Sequence, residues 1–262
     1  MKPHFLMNRT EDGLSRQSLV KPGDKDNMMQ NYVGITRKEI QELTETILNN
    51  YFKATKTIYI GQIDIADLAS FLNLTILYVN INEDDKNKVA FFSDGVRPVK
   101  IIENGACQER IFPKNTILID NYLRQPDLET KRRYSISHEI GHYLLSRYGF
   151  APVEAAFSCN FDKEKEYTYK ELYEMMRLSE TQANEVGAFL LMPSFLVKRY
   201  IQEQFHSEKV PIFGQYMMRQ DTKVRIKKIA EDLGVSFGAL MIQIKQMHLI
   251  DYHSAEEFIL EA

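Results

Sequence analysis

The stretch Arg132-Arg-Tyr-Ser-Ile-Ser-His-Glu-Ile-Gly-His-Tyr-Leu-Leu145 decides how the rest of this chain is read. Ile136, Ile140, Leu144 and Leu145 recur at helical spacing and put an apolar face on one helix. The same helix carries His138-Glu139-x-x-His142. Residues four apart stand one turn apart on one face, so both imidazoles can reach a single ion about 2 Å from each nitrogen. Glu139 lies about 100° round the helix from His138. It cannot readily join the same set of ligands, but it can flank a water on the ion, where a general base belongs. The competing explanation is a chance match on an amphipathic helix. Two histidines and a glutamate beside a buried face are costly unless paired or ligated, which favours the metal.

A catalytic zinc takes three protein ligands and keeps a fourth position open. The metzincin pattern is absent, because Leu145 and Tyr148 stand where it requires glycine and histidine. The third ligand therefore comes from elsewhere. Ser179 and Gln182 form a capping-box pattern that predicts a helix from there to Met192. Glu180 in its first turn is the leading candidate. Asn184 lies four residues on, on the same face, placed to hydrogen-bond the far nitrogen of a ligating histidine. Gly187 and Leu191 continue that stripe, and Gly187 lets a second helix approach closely. An acidic first-turn residue is also favoured by the helix dipole alone, and Glu185, Glu174 and Glu154 are rival ligands.

Arg133 to Leu145, taken with Glu180-Thr-Gln-Ala-Asn-Glu-Val-Gly-Ala-Phe-Leu-Leu-Met-Pro193, resembles the ImmA/IrrE family of bacterial metallo-endopeptidases. That family pairs HExxH with a later E-x-x-A-N-x-F-A-x-x-L-L-M-P stretch. The resemblance implies His138 and His142 as zinc ligands, Glu139 as the catalytic glutamate and Glu180 as the third ligand. Val186 and Gly187 replace the family's usual Phe and Ala. The gap from His142 to Glu180 is longer than is common, implying an insertion around 154–176 that acts as a lid or substrate loop. The resemblance covers about residues 36–250 and leaves the first 35 uncovered. It also implies a narrow protein substrate, a helix-turn-helix repressor whose cleavage switches on a mobile element or a stress response.

The rest of the chain predicts an α+β fold in which a small, largely antiparallel sheet packs with the zincin-type HExxH helix and further helices. Residues 1–35 are polar and weakly periodic and read as a flexible arm. Thr36 with Glu39 is a capping box, and Asp64 caps a second helix. Leu74–Ile81, Val89–Phe92, Val99–Ile102 and Thr116–Asp120 read as strands. Asp94-Gly95 and Asn104-Gly105 are hairpin signals. Thr116–Asp120 is a candidate edge strand for pairing with an extended substrate, or a plain sheet strand. Asp127 caps the HExxH helix, which runs to about Tyr148 with Gly149 as its stop. Pro193 opens a helix to about Glu203. Thr222–Leu233 and Phe237–Met247, joined at Gly234-Val235 with Ser236 as cap, form a C-terminal helix-turn-helix-like hairpin. The domain division is an arm at 1–35, a peptidase domain at 36–215 and the hairpin at 216–262.

The chain has 262 residues and a net charge of −3, with 44% hydrophobic and 26% charged residues. A near-neutral balance argues against wholesale binding to nucleic acid or an anionic membrane. The second helix of the hairpin has Lys245 as its single cation, which makes it a poor DNA reader. Lys223, Arg225, Lys227 and Lys228 on the first helix read as a solvated face. Cys107 and Cys159 fit no CxxC pattern and read as reduced thiols. No run reaches the roughly 18 apolar residues of a membrane span, and no signal peptide is seen, so the expectation is a cytoplasmic protein. The expected function is a zinc-dependent endopeptidase with a protein substrate, weak or no nucleic acid binding and no membrane partner. A regulatory binding module, whose metal site is structural or unused and whose C-terminal helices bind DNA or a protein, is the competing class.

Overall fold

The computed structural model describes residues 35–57, 61–82, 88–148, 169–214 and 217–260. Helix α1 (Arg37–Thr55) begins at the capping box. The Thr36 side chain accepts from the Glu39 N–H, and the Glu39 carboxylate accepts from the Thr36 N–H. Its buried face is Ile40, Thr44, Ile47, Leu48 and Tyr51. Helix α2 (Ile65–Phe71) starts at Asp64, whose carboxylate accepts from the Ala66 and Asp67 N–H groups.

Five strands follow: β1 (Thr75–Val79), β2 (Ala90–Ser93), β3 (Pro98–Glu103), β4 (Ala106–Ile111) and β5 (Thr116–Asp120). β3 and β4 are an antiparallel hairpin closed by Asn104-Gly105, both at positive φ (53° and 77°), as the favoured two-residue turn requires. β1, β5 and β2 form a sheet in that order, with β5 parallel to β1 and antiparallel to β2. Two expectations change here. Asp94-Gly95 does not close a hairpin, because β2 pairs with β5. Asp94 instead accepts from the Val96 and Arg97 N–H groups and the Arg97 guanidinium, a self-contained turn. β5 is also not an edge strand. Ile117, Leu118 and Ile119 are fully buried, as suits a central strand covered on both faces; β1 and β2 are the edges, and β2 is the one packed against α3.

Helix α3 (Glu129–Arg147) packs across β2 and β5. Asp127 is not its cap. A 3-10 turn, Pro126–Leu128, feeds directly into the helix, and Leu128 at the N-cap makes no side-chain capping bond. Gly149 lies outside the described residues. Helix α4 (Tyr169–Leu191) corrects the second capping box. Ser179 is a buried residue well inside that helix, and the Gln182 side chain donates to the Ile35 carbonyl. An S-x-x-Q pattern caps only where the chain turns away upstream. Here Lys170, Glu171, Glu174 and Met175, good helix formers, continue the helix by almost three turns. The last residues of the proposed insertion, 169–176, are therefore helical, and 154–168 lie outside the described residues.

Pro193 is the N-cap of α5 (Ser194–Phe205). Then come β6 (Val210–Phe213), α6 (Gln220–Leu233), α7 (Phe237–Gln246), β7 (Ile250–His253) and α8 (Ala255–Leu260). Gly234, at φ 64°, ends α6, and Ser236 accepts from the Ala239 N–H to start α7. The parallel pairing of β6 with β7 was not expected from the sequence. Ile226, Ile229, Leu233, Leu240 and Ile244 share one apolar core with Ile136, Ile140 and Val186. Phe237, Met241 and Met247 pack partly against it as well. The apolar stripe of α7 is thus largely used inside the fold. The boundary placed at 215/216 falls outside the described residues, as do residues 1–34. No helix among the described residues is long and apolar enough to cross a membrane.

Candidate metal centre

Two glycines allow α3 and α4 to cross nearly backbone to backbone. A Cβ on Gly141 would fall 2.6 Å from the Ala183 carbonyl oxygen, and one on Gly187 would fall 3.0 Å from Ser137 Oγ and 3.1 Å from the His138 nitrogen. Each glycine costs its helix about 1 kcal/mol relative to alanine. In return the crossing sets Glu180 and Asn184 of α4 directly against His138 and His142 of α3.

The four side chains meet closely. His138 Nε2 lies 3.3 Å from one carboxylate oxygen of Glu180, and His142 Nε2 lies 3.3 Å from the other. The two Nε2 atoms are 3.0 Å apart, with the rings near perpendicular at 89°. Ligand atoms of all three residues fall within 4.8 Å of one another, and no other His, Cys, Asp and Glu group converges this way among the described residues. Hydrogen bonds to His138 and His142 hold the Glu180 carboxyl far below the usual carboxylate range. Burial opposes charge on His138, but its hydrogen bond to Glu180 and the charges of Glu139 and Glu180 outweigh that and raise its pKa. Two imidazole nitrogens and a carboxylate aimed at one point are all electron-pair donors. Without an ion they need extra protons between them; a metal ion satisfies the set at once. The residues therefore fit a metal.

Glu139 is 7% exposed and sits one residue along from His138. Burial pushes its carboxyl upward, against the pull of His142, His138 and the Phe92 N–H that donates to it from β2. Glu139 thus stands between the His138–His142 face of α3 and strand β2. Asn184 Oδ1 is 2.9 Å from His138 Nδ1 and accepts from the Tyr134 hydroxyl at 2.6 Å. His142 Nδ1 is buried with no partner among the described residues.

Of the rival ligands, Glu185 is turned away. It pairs with Arg37 at 3.1 Å, and the other arm of Arg37 donates to Gln243 of α7. The Glu174 side chain and Glu154 lie outside the described residues. Sequence reasoning gave no role to two residues of α3. Arg133 is buried and donates to the carbonyls of Ile63, Leu233 and Gly234, tying α3 to the end of α6. Tyr134 reaches Asn184. The signal for Arg133 was present: an arginine three residues before Ile136 on an apolar helix requires buried acceptors. Nothing in the sequence flagged Tyr134, whose partner is 50 residues away.

A family model described as Peptidase M78, IrrE N-terminal-like domain, matches residues 102–245, a narrower span than 36–250. No curated protein matches the chain.

Proposed function

Because the chain belongs to the Peptidase M78 family of IrrE N-terminal-like domains, we propose that it is a zinc-dependent endopeptidase whose metal is held by His138, His142 and Glu180. The observation that carries this reading is the convergence of those three donors, with the buried Glu139 carboxylate beside them. Two nitrogens and a carboxylate are a donor set that suits catalytic zinc with one position open. Held by these residues, zinc would supply Lewis-acid polarisation of the scissile carbonyl and would lower the pKa of a water towards neutral. Glu139 would accept a proton from the attacking water and pass it to the leaving amine. The Phe92 N–H fixes the carboxylate for this role. Asn184 holds the Nδ1 proton of His138, leaving Nε2 free to ligate.

The edge strand β2 supports an extended peptide as substrate. The Val89 and Ser93 carbonyls bond toward β5, so Ala90 and Phe92 present their backbone groups to the other side. The Phe92 N–H is engaged by Glu139, and the remaining groups suit a peptide strand laid along the edge. We take the substrate to be a helix-turn-helix repressor, cleaved to release a mobile element or stress response. This follows the family resemblance. The weakly basic α7, with Lys245 as its cation, favours a protein over a DNA partner.

The test is Glu139→Gln. The amide cannot accept the proton, so zinc content and fold should match the parent while repressor cleavage falls by about 10²–10⁴-fold. Loss of zinc in this variant would make Glu139 a ligand and end the general-base assignment.

A further inference from the structure

The histidine pair is held unequally. His142 Nδ1 has no partner among the described residues, whereas His138 Nδ1 faces Asn184 Oδ1 at 2.9 Å. The same oxygen takes a second hydrogen bond, 2.6 Å long, from the Tyr134 hydroxyl. Tyr134 lies one turn before His138 on α3, and its ring runs roughly parallel to the imidazole, 27° between planes with centroids 6.5 Å apart. We propose that Tyr134 is a positioning residue, whose hydroxyl pins the Asn184 amide so that its carbonyl oxygen faces His138 and directs Nε2 at the metal. The proposal rests on the metallopeptidase reading above.

The argument follows from the chemistry of an amide. A neutral imidazole offers one N–H and one lone pair, so an Nε2 ligand must carry its proton on Nδ1. Asn184 accepts that proton only in one orientation. Turned by 180°, its NH₂ would face Nδ1 and move the ring proton to Nε2, against Glu180 and His142. The Tyr134 hydroxyl carries one proton to donate. Asn184 Oδ1 is its acceptor among the described residues. Turning the amide would break this 2.6 Å bond and leave the partly exposed hydroxyl to donate to solvent instead. Both lone pairs of Oδ1 are used when the orientation is right, and both of these hydrogen bonds are lost when it is wrong.

The experiment titrates the full-length apo protein with zinc alone against a chromogenic chelator, and follows apo unfolding in parallel. Tyr134→Phe keeps the ring and removes the hydroxyl. Zinc affinity should fall about 3- to 10-fold, less than the ~10–100-fold typical when a ligand's own partner is lost. Apo stability should hardly change. Asn184→Asp supplies a rescue, because a carboxylate presents oxygen in either orientation, so adding Tyr134→Phe to Asn184→Asp should leave zinc affinity unaltered. An unchanged affinity in Tyr134→Phe overturns the proposal. So does an equal loss in both backgrounds, or a fall in kcat at saturating zinc with affinity intact, which would put Tyr134 on the substrate. A folded parent that binds no zinc overturns the metallopeptidase reading itself, and this inference with it.

Discussion

Gly141→Ala tests whether the helix crossing builds the metal centre. The added Cβ would lie 2.6 Å from the Ala183 carbonyl oxygen and 3.1 and 3.2 Å from its Cα and carbonyl carbon. All three atoms are backbone, so no rotamer change relieves them. Restoring ordinary contact requires α3 and α4 to part by about 0.8 Å at that point. Such overpacking costs about 1–3 kcal/mol, against a gain of about 1 kcal/mol from replacing glycine within a helix. A net loss of up to about 2 kcal/mol is expected. The effect on the site should be larger than the effect on the fold. Metal–ligand distances tolerate about 0.2 Å. The shift separates Glu180 from both histidines by several times that, so zinc affinity should fall at least tenfold. Gly238→Ala in α7 is the matched control. Its Cβ meets nothing within 4 Å, and it should stabilise by about 0.5–1 kcal/mol with zinc affinity unchanged. Urea unfolding and zinc competition on both variants provide the comparison. If Gly141→Ala matches Gly238→Ala in stability and the parent in affinity, the crossing does not set the site.

Arg133→Ala should destabilise the fold by about 2–4 kcal/mol, because the buried carbonyls of Ile63, Leu233 and Gly234 lose a charged donor; denaturant unfolding within 0.5 kcal/mol of the parent would refute the tie between α3 and α6. Burial raises the Asp94 pKa, but the N–H groups of Arg97 and Val96 and the Arg97 guanidinium outweigh it and hold the carboxyl below its usual range. Its stabilising contribution is therefore complete above the unfolded pKa of about 3.9 and is lost as the pH falls through the folded value. Asp94→Asn should be less stable than the parent at pH 7, with the difference shrinking below about pH 4; a gap that stays constant with pH would show that charge at Asp94 is not involved.

Features encoded in a few adjacent residues were legible in the sequence. The Thr36–Glu39 box, the Asp64 cap, the Asn104-Gly105 turn and the Gly234 stop all appear where the residues place them. Each depends on a side chain or a backbone angle acting within four residues, and at these positions the tertiary packing leaves the local preference in place. The one-turn spacing of His138 and His142 is of the same kind. Other features needed the tertiary structure. Ser179 and Gln182 have capping chemistry, but α4 runs through them because the upstream residues also favour helix and the core covers that face. Asp94-Gly95 makes its turn without a hairpin, since β5 offers β2 a partner more than twenty residues away in sequence. The strand order that puts β2 at an edge beside α3, the glycine crossing that sets Glu180 rather than Glu185 against the histidines, and the Tyr134–Asn184 contact all join distant segments. Such pairings compete with one another for the same core, and sequence spacing carries no term for which competitor wins; only the packed chain decides that.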